Sequence, residues 1–287
     1  MKKTLTKYLK IWWLMSKNAF MSVLVNRLGF SFFLTGKIIR FVFFFIFLSF
    51  ILTGAKSLAG YSPNQVIFFF LTFNFIDILA QFLFREVYRF RPMIVKGTFD
   101  YVLSKPVNAL FRALMGGADI IDLVTIPPLI IVLVIFGKSL NPSFLSLFFY
   151  LILILNGLLI ATSFHIAVLA LGIVTLEIDH TVMIYRDLTN LGRFPIDIYK
   201  QPLQAVLTYL VPVGLMVTLP SKALIGLISP FGVLVACLFG VLIFLIATRF
   251  WHFALDRYTS ASSLYAKITC NLWADFNRKN GARSLFG

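Results

Sequence analysis

Residues 62–112 read SPNQVIFFFLTFNFIDILAQFLFREVYRFRPMIVKGTFDYVLSKPVNALFR. From Pro63 to Phe84 the only charge is Asp77, and as an α-helix rising about 1.5 Å per residue this run crosses the ~30 Å hydrocarbon core of a bilayer. Ser62 and Pro63 open it as N-cap and first helical residue. A basic entry follows, then a break at Arg91-Pro92, Gly97, and a short stretch whose Phe99, Val102 and Leu103 form one face before Lys105-Pro106 ends it and starts the next helix. The pattern predicts a membrane span followed by a short interfacial helix. Such a segment is either an ordinary membrane-surface loop or a docking element through which a soluble partner moves the spans beside it.

The rest of the chain agrees with a bilayer protein. Its 287 residues are 60% hydrophobic and 13% charged, with a mean hydropathy of +0.92, against about 45–50% apolar and 25% charged in soluble domains. Disordered, fibrous and disulfide-framework classes are excluded. Six spans are expected, at Gly36–Leu52, Pro63–Phe84, Ala113–Phe136, Phe144–Ile173, Leu203–Leu219 and Phe231–Phe250. Outside them, alternate stretches hold 21 Lys and Arg on one side and 3 on the other. The positive-inside rule therefore predicts that both termini are cytoplasmic. The net charge of +15 reports topology rather than nucleic acid, which is not an expected partner. The expected class is an all-α polytopic membrane protein with residues 1–35 as a cytoplasmic amphipathic and connecting helix, 36–250 as the six-span domain, and 251–287 as a cytoplasmic tail.

Near the N-terminus, Leu9, Trp12, Trp13, Phe20 and Val23 recur close to helical spacing among lysines, as in a helix lying in the membrane interface. Lys10, Lys17 and Arg27 interrupt any secretory apolar core, so no cleavable signal is expected. The external connections are short, whereas cytoplasmic loops of about 28 residues are expected at 85–112 and 174–202, and function concentrates in such loops. Catalysis by this chain alone is not expected. Its nearest approach to a phosphate loop, Gly137-Lys138-Ser139, has Val132 in place of the first glycine. His165, His180 and His252 fall in separate segments, Cys237 and Cys270 make no framework, and neither a metal site nor redox chemistry is expected. Only the region of Glu177, Asp179 and His180 offers material for a membrane-embedded enzyme.

Charges inside the spans are costly and normally face protein or water. Asp77, Asp119 and Asp122 lie in spans two and three, and Lys37 and Arg40 enter span one from the same leaflet. These five are pathway or gate candidates, with static ion pairing between span one and spans two or three as the alternative. Gly116-Gly117 and Pro127-Pro128 predict a kink or break in span three. Gly232, Ala236 and Gly240, four residues apart, make a small-residue stripe suited to close packing, within the chain or between two copies. Pro212 interrupts span five, and the apolar residues between Pro220 and Pro230 suggest a short external helix or re-entrant element.

The string IVKGTFDYVLSKPVNALFRAL after span two, with LTNLGRFPIDIYKQPLQAVLTYLVP before span five, resembles the ABC-2 type of ABC exporter permeases, in particular the short bacterial branch encoded beside a separate ATPase. The resemblance covers essentially the whole chain. It implies a multi-pass permease of the bacterial cytoplasmic membrane, working as a homodimer or with a sibling permease, in contact with membrane lipids and with two copies of a cytoplasmic ATPase. ATP and Mg would be used by that partner, with no cofactor bound by this chain. It further implies an ATPase-coupling helix near Thr98–Ser104, carried by Gly97, Phe99, Asp100, Leu103 and Pro106. A second cytoplasmic contact is implied at Tyr185, Gly192, Arg193, Pro195 and Tyr199. An ion-coupled transporter, argued by the buried acids, and a non-transporting scaffold subunit are the alternatives.

Overall fold

The computed structural model describes residues 2–54, 57–175 and 178–259. Lys56, Glu177 and the tail from 260 onward, with Cys270, lie outside the described residues. Among the described residues every regular element is helical, apart from one isolated bridge between Leu58 and Tyr61.

Helix α1 (Lys2–Val25) is separated from α2 (Arg27–Gly54) by a single residue. Asn26 caps the second helix, its Oδ1 accepting the Gly29 N–H at 2.9 Å. Because residues 28–35 are largely apolar, α2 starts well before the expected Gly36. Helix α3 (Pro63–Phe84) has the expected bounds, with Gln65 Oε1 reaching back to the Ser62 N–H at 2.9 Å. A 3₁₀ turn (Arg85–Arg89) leads into α4 (Phe90–Val95), α5 (Phe99–Leu103) and α6 (Ala109–Leu114). The long helices α7 (Ile120–Ser139) and α8 (Phe144–Thr175) follow. Then come α9 (Asp179–Asn190), two 3₁₀ turns (Leu191–Arg193 and Ile196–Ile198), and α10 (Leu203–Ala205). Two wide π turns (Val206–Leu210 and Gly214–Thr218) lead to α11 (Leu219–Leu224), and α12 (Pro230–Asp256) closes the described chain. Among the described residues, five helices are long and apolar enough to cross a membrane, or six if the bent pair around Pro212 counts as one.

The third span does not begin at Ala113, because the chain leaves helical geometry at Met115 and resumes at Ile120, where Asp119 Oδ1 caps the new helix by accepting the Ile121 N–H at 2.8 Å. Gly116 sits where any side chain would collide with Arg112 and Glu86, themselves paired at 2.9 Å, so the break falls at the glycines. The prolines do not break it. Helix α7 runs through Pro127 and Pro128, and Leu123 and Val124, whose carbonyls lose their donors, lie on its exposed side.

The expected interruption of Leu203–Leu219 at Pro212 takes the form of a pair, Leu203–Leu210 and Gly214–Leu224, bent by 76°. Pro212 has no N–H and disfavours helical geometry at Val211, which takes φ −117°, ψ 76°. The segment just before this pair is threaded into the bundle. Gly192 packs against Val213 and Phe73 with no room for a Cβ, and the Ile196 N–H donates to Thr218 Oγ1 at 3.3 Å. Asp197 accepts from the Tyr61 hydroxyl and from Lys222 Nζ, each at 2.8 Å. The charge count assigns Asp197 to the side of the termini and Lys222 to the other; in the fold they are neighbours.

Helix α3 is the axis of the core, its Phe68, Phe69 and Phe70 all buried. Helices α8 and α12 pack through their small residues, with Asn156 Nδ2 donating to the Ala236 carbonyl at 3.0 Å beside Gly240. Outward, α2, α7 and α12 expose rows of Phe, Leu and Ile, the surface that acyl chains require and water does not.

Candidate functional site

A cavity of about 360 Å³ is bounded by α2, α3, α7 and the segment from α9 to Arg193. Helix α2 brings Lys37, Arg40, Phe41 and Phe44; α3 brings Phe70, Phe73, Asn74, Asp77 and Gln81. Pro128, Leu129 and Val132 of α7 form an apolar wall. Arg186 and Arg193 enter from the remaining side, seven residues and so about two turns apart.

Most of these polar groups are placed by a neighbour. Gln81 Nε2 donates to Asp77 Oδ2 at 2.7 Å one helical turn away. Lys37 pairs with Asp122, whose side chain is buried. Arg193 donates to Asn190 Oδ1 at 2.8 Å and lies over the rings of Phe44 (5.1 Å) and Phe73 (5.9 Å), the geometry in which an aromatic face attracts a cation. The guanidinium groups of Arg40 and Arg186 make no hydrogen bond or ion pair with any described residue.

Of the five charged pathway candidates, Lys37, Arg40 and Asp77 thus meet on one cavity, and Asp122 stands behind Lys37 as its counterion. Asp119 is elsewhere. It caps α7 and pairs with Arg85 at 3.2 Å, on a separate hollow of about 260 Å³.

The segment between α3 and α7 forms a second site, at the end of the bundle. Gly97 ends α4 in the left-handed region, φ +69°, its N–H donating to the Ile94 carbonyl at 3.1 Å, a stop that favours glycine. Helix α5 then divides its side chains. Phe99 and Val102 are buried, whereas Tyr101 is 70% and Leu103 42% exposed. The Phe99 ring stands edge-on to Phe90 (5.1 Å), Tyr258 (5.3 Å) and Trp251 (6.4 Å). Asp100 accepts from the Tyr258 hydroxyl at 2.9 Å. Burial and this bond push the Tyr258 pKa up to about 12. Pro106 gives its carbonyl to Lys7 at 3.3 Å, and Tyr8 Oη accepts the Asn108 N–H at 3.2 Å. Ser16 Oγ accepts the Ala118 N–H at 3.2 Å. The amphipathic α1 is therefore stapled along the segment from Pro106 to Ala118.

The residues expected as a second cytoplasmic contact are not grouped at that end. Tyr185 packs against Phe164 (5.3 Å) and His165 (5.1 Å) of α8. Gly192 and Arg193 lie against Phe73. Pro195 opens the turn to Ile198, and the Tyr199 hydroxyl donates to the Leu191 carbonyl at 2.9 Å. In the small-residue stripe, Ala236 and Gly240 are consumed by α8, while Gly232 sits at the α12 cap, donating to Ser229 Oγ at 3.1 Å. Arg186, Phe44, Tyr101, Trp251 and Tyr258 also line these sites, and no motif in the sequence marks them. The two-turn spacing of Arg186 and Arg193 was the available signal for a shared face; nothing local marks Tyr258.

The length and apolar composition of these helices define a multi-pass membrane protein. Residues 38–262 match the family described as ABC-2 family transporter protein, and the chain belongs to it. No curated protein and no solved structure matches the chain.

Proposed function

We propose that this chain is the permease subunit of an ATP-driven exporter, one of two permease chains standing on two copies of a cytoplasmic ATPase. The observation that carries it is the division of α5, which anchors Phe99 and Val102 in its own bundle and leaves Tyr101 and Leu103 uncovered. An element so held can transmit a push. The ATPase would carry ATP and Mg, and the closing of its two copies would drive α5, and with it α3 and α12, as rigid pieces that open the cavity alternately to the inner leaflet and outward.

The charge asymmetry supports a cytoplasmic N-terminus and C-terminus in a bacterial cytoplasmic membrane. Within this topology the contacts of Asp197 with Tyr61 and Lys222 favour residues 178–199 as the fifth crossing. The bent pair from Leu203 to Leu224 then forms a re-entrant hairpin on the outer side. The fifth crossing and α3 would line the pathway.

Pull-down of the tagged chain from its native membrane in mild detergent, with mass spectrometry of stoichiometric partners, tests the proposal. An ATP-binding subunit is expected, and either one permease species or two. Intact complexes without such a subunit would refute ATP coupling. A cysteine placed at Asp197 reports the crossing, since it should react with an impermeant thiol reagent added to intact cells only if that residue lies outside.

A further inference from the structure

We propose that the cavity between α2, α3, α7 and α9 binds an anionic amphiphile, a molecule with a phosphate or carboxylate head and an alkyl tail. The proposal rests on the permease assignment, of which it names the cargo class.

Four cations reach this cavity, Lys37, Arg40, Arg186 and Arg193, against one carboxylate, Asp77. Asp122 neutralises Lys37. Three guanidiniums then face a single acid, and two of them, Arg40 and Arg186, have no hydrogen-bonding or ion-pairing partner among the described residues. Unmatched cations beside apolar walls at membrane depth carry a desolvation cost that a bound anion removes. The guanidinium fork matches the paired oxygens of phosphate or carboxylate.

The remaining surface selects for a tail. Phe41, Phe44, Phe70 and Phe73 oppose Leu129 and Val132, an apolar lining with no use for a small hydrated ion. The volume of about 360 Å³ falls within the ~300–1,000 Å³ typical of small-molecule sites. Its α2 wall includes Ile38 and Val42, both exposed on the outer, lipid-facing surface. A head held among the arginines can therefore extend its tail past α2 into the acyl region.

The test is made on the purified full chain in uncharged maltoside micelles, titrated with dodecyl phosphate, dodecylphosphocholine and inorganic phosphate. Dodecyl phosphate should bind about tenfold or more tighter than either of the others, and Arg40→Gln or Arg186→Gln should each weaken it about tenfold. Lys138→Gln, an exposed cation at the far end of α7, should change nothing. Equal affinity for the two dodecyl compounds, or for inorganic phosphate, would overturn the proposal, as would arginine variants that bind like the wild type. The headgroup comparison needs only the wild-type chain, so a variant that fails to fold leaves the question answerable. A second arm uses phosphatidylcholine nanodiscs doped with phosphatidylglycerol and read by native mass spectrometry. Selective retention of phosphatidylglycerol assigns the site to a bilayer lipid, whereas binding of dodecyl phosphate without such retention assigns it to an amphiphile arriving from water. Neither arm contains ATP or a partner, so failure here leaves ATP coupling standing, and a pull-down lacking an ATPase leaves the binding result standing.

Discussion

Replacing Phe99 should damage the protein in a way that replacing Tyr101, two residues away, does not. Phe99 is fully buried at the meeting of α4, α5 and α12 and touches three rings, those of Phe90, Trp251 and Tyr258. Truncating a buried Phe to Ala typically costs about 3–5 kcal/mol, the lost transfer energy plus the cavity. Phe99→Leu keeps most of the volume and loses chiefly ring geometry, worth about 0.5–1.5 kcal/mol per aromatic pair, so about 1–2 kcal/mol is expected. At about 2–4 °C per kcal/mol for domains of 150–250 residues, Phe99→Ala should lower the unfolding midpoint by at least about 6 °C. Tyr101 is 70% exposed, and Tyr101→Ala should shift the midpoint by less than about 0.5 kcal/mol's worth yet release the ATPase. The assay is thermal unfolding by fluorescence-detected size exclusion, paired with partner recovery in pull-down, on the same four proteins. The two effects must separate. Equal midpoints for wild type and Phe99→Ala would refute the anchoring argument. A Tyr101→Ala protein that is stable and still retains its partner would refute the role given to the exposed face.

Gly240→Ala should destabilise by about 1–3 kcal/mol through overpacking, because its Cβ would overlap Asn156 Oδ1; in an Asn156→Ala background the same change should be nearly neutral, and a thermal-shift double-mutant cycle with no coupling would count against it. Asp122→Asn should cost more than the pair Lys37→Met/Asp122→Asn, since the single change strands a lysine whose counterion is gone and the double change removes the stranded charge; the comparison of their unfolding midpoints decides. Tyr258→Phe concerns a hydroxyl whose pKa rises from 10.0 to about 12. A raised folded-state pKa contributes stability that is whole below the unfolded value and is lost as pH rises through the folded one. The stability difference between wild type and Tyr258→Phe should accordingly be constant up to about pH 10 and shrink toward pH 12, as followed by unfolding midpoints across that range; a difference that grows with pH would contradict the bond to Asp100.

Hydropathy located the helices whose surroundings are uniformly apolar and carries little information on how a charged segment packs against them. Pro63–Phe84 could be bounded from sequence because its cap, its length and its lack of charge agree. In residues 178–199 the charges Asp179, Arg186, Asp187 and Arg193 read as those of a cytoplasmic loop, whereas in the fold Arg186 and Arg193 line an internal cavity. The apolar run just after it, Leu203–Leu219, has the composition of a span, and its bend follows from Pro212. The cavity was half legible. Its acid Asp77 and the cations of α2 stand out as charges inside apolar runs, but the aromatic surface that Arg193 covers depends on Phe44 and Phe73 meeting across two helices, which no local pattern records. The Tyr258 bond to Asp100 spans 158 positions and is a tertiary fact only.

The way these elements are tied together indicates which of them can move. Helix α5 is fastened to α12 through Phe99 and Trp251, and α12 to α8 through Gly240 and Asn156, while α3 continues directly into the segment that ends in α5. A displacement at Tyr101 therefore drives α3, α8 and α12 as one block, since packed interiors transmit strain rather than absorb it. Helix α2 is held differently. Its outward side is exposed over most of its length, and its grip on the bundle includes the Lys37 pair, a stack of Phe41 and Phe44 on Phe70, and Arg193 over Phe44. Most of those contacts are also cavity wall. An anion drawn to Arg193 or Arg40 would bind between α2 and its anchors, so occupancy of the site and the position of α2 are coupled by the same few side chains. The predicted sign is that Phe44→Ala loosens α2 and weakens amphiphile binding together, whereas Phe231→Ala, on the exposed face of α12, alters neither. Hydrogen exchange of α2 with and without dodecyl phosphate measures the first quantity against the second; protection of α2 that ignores the ligand would show that the two are independent.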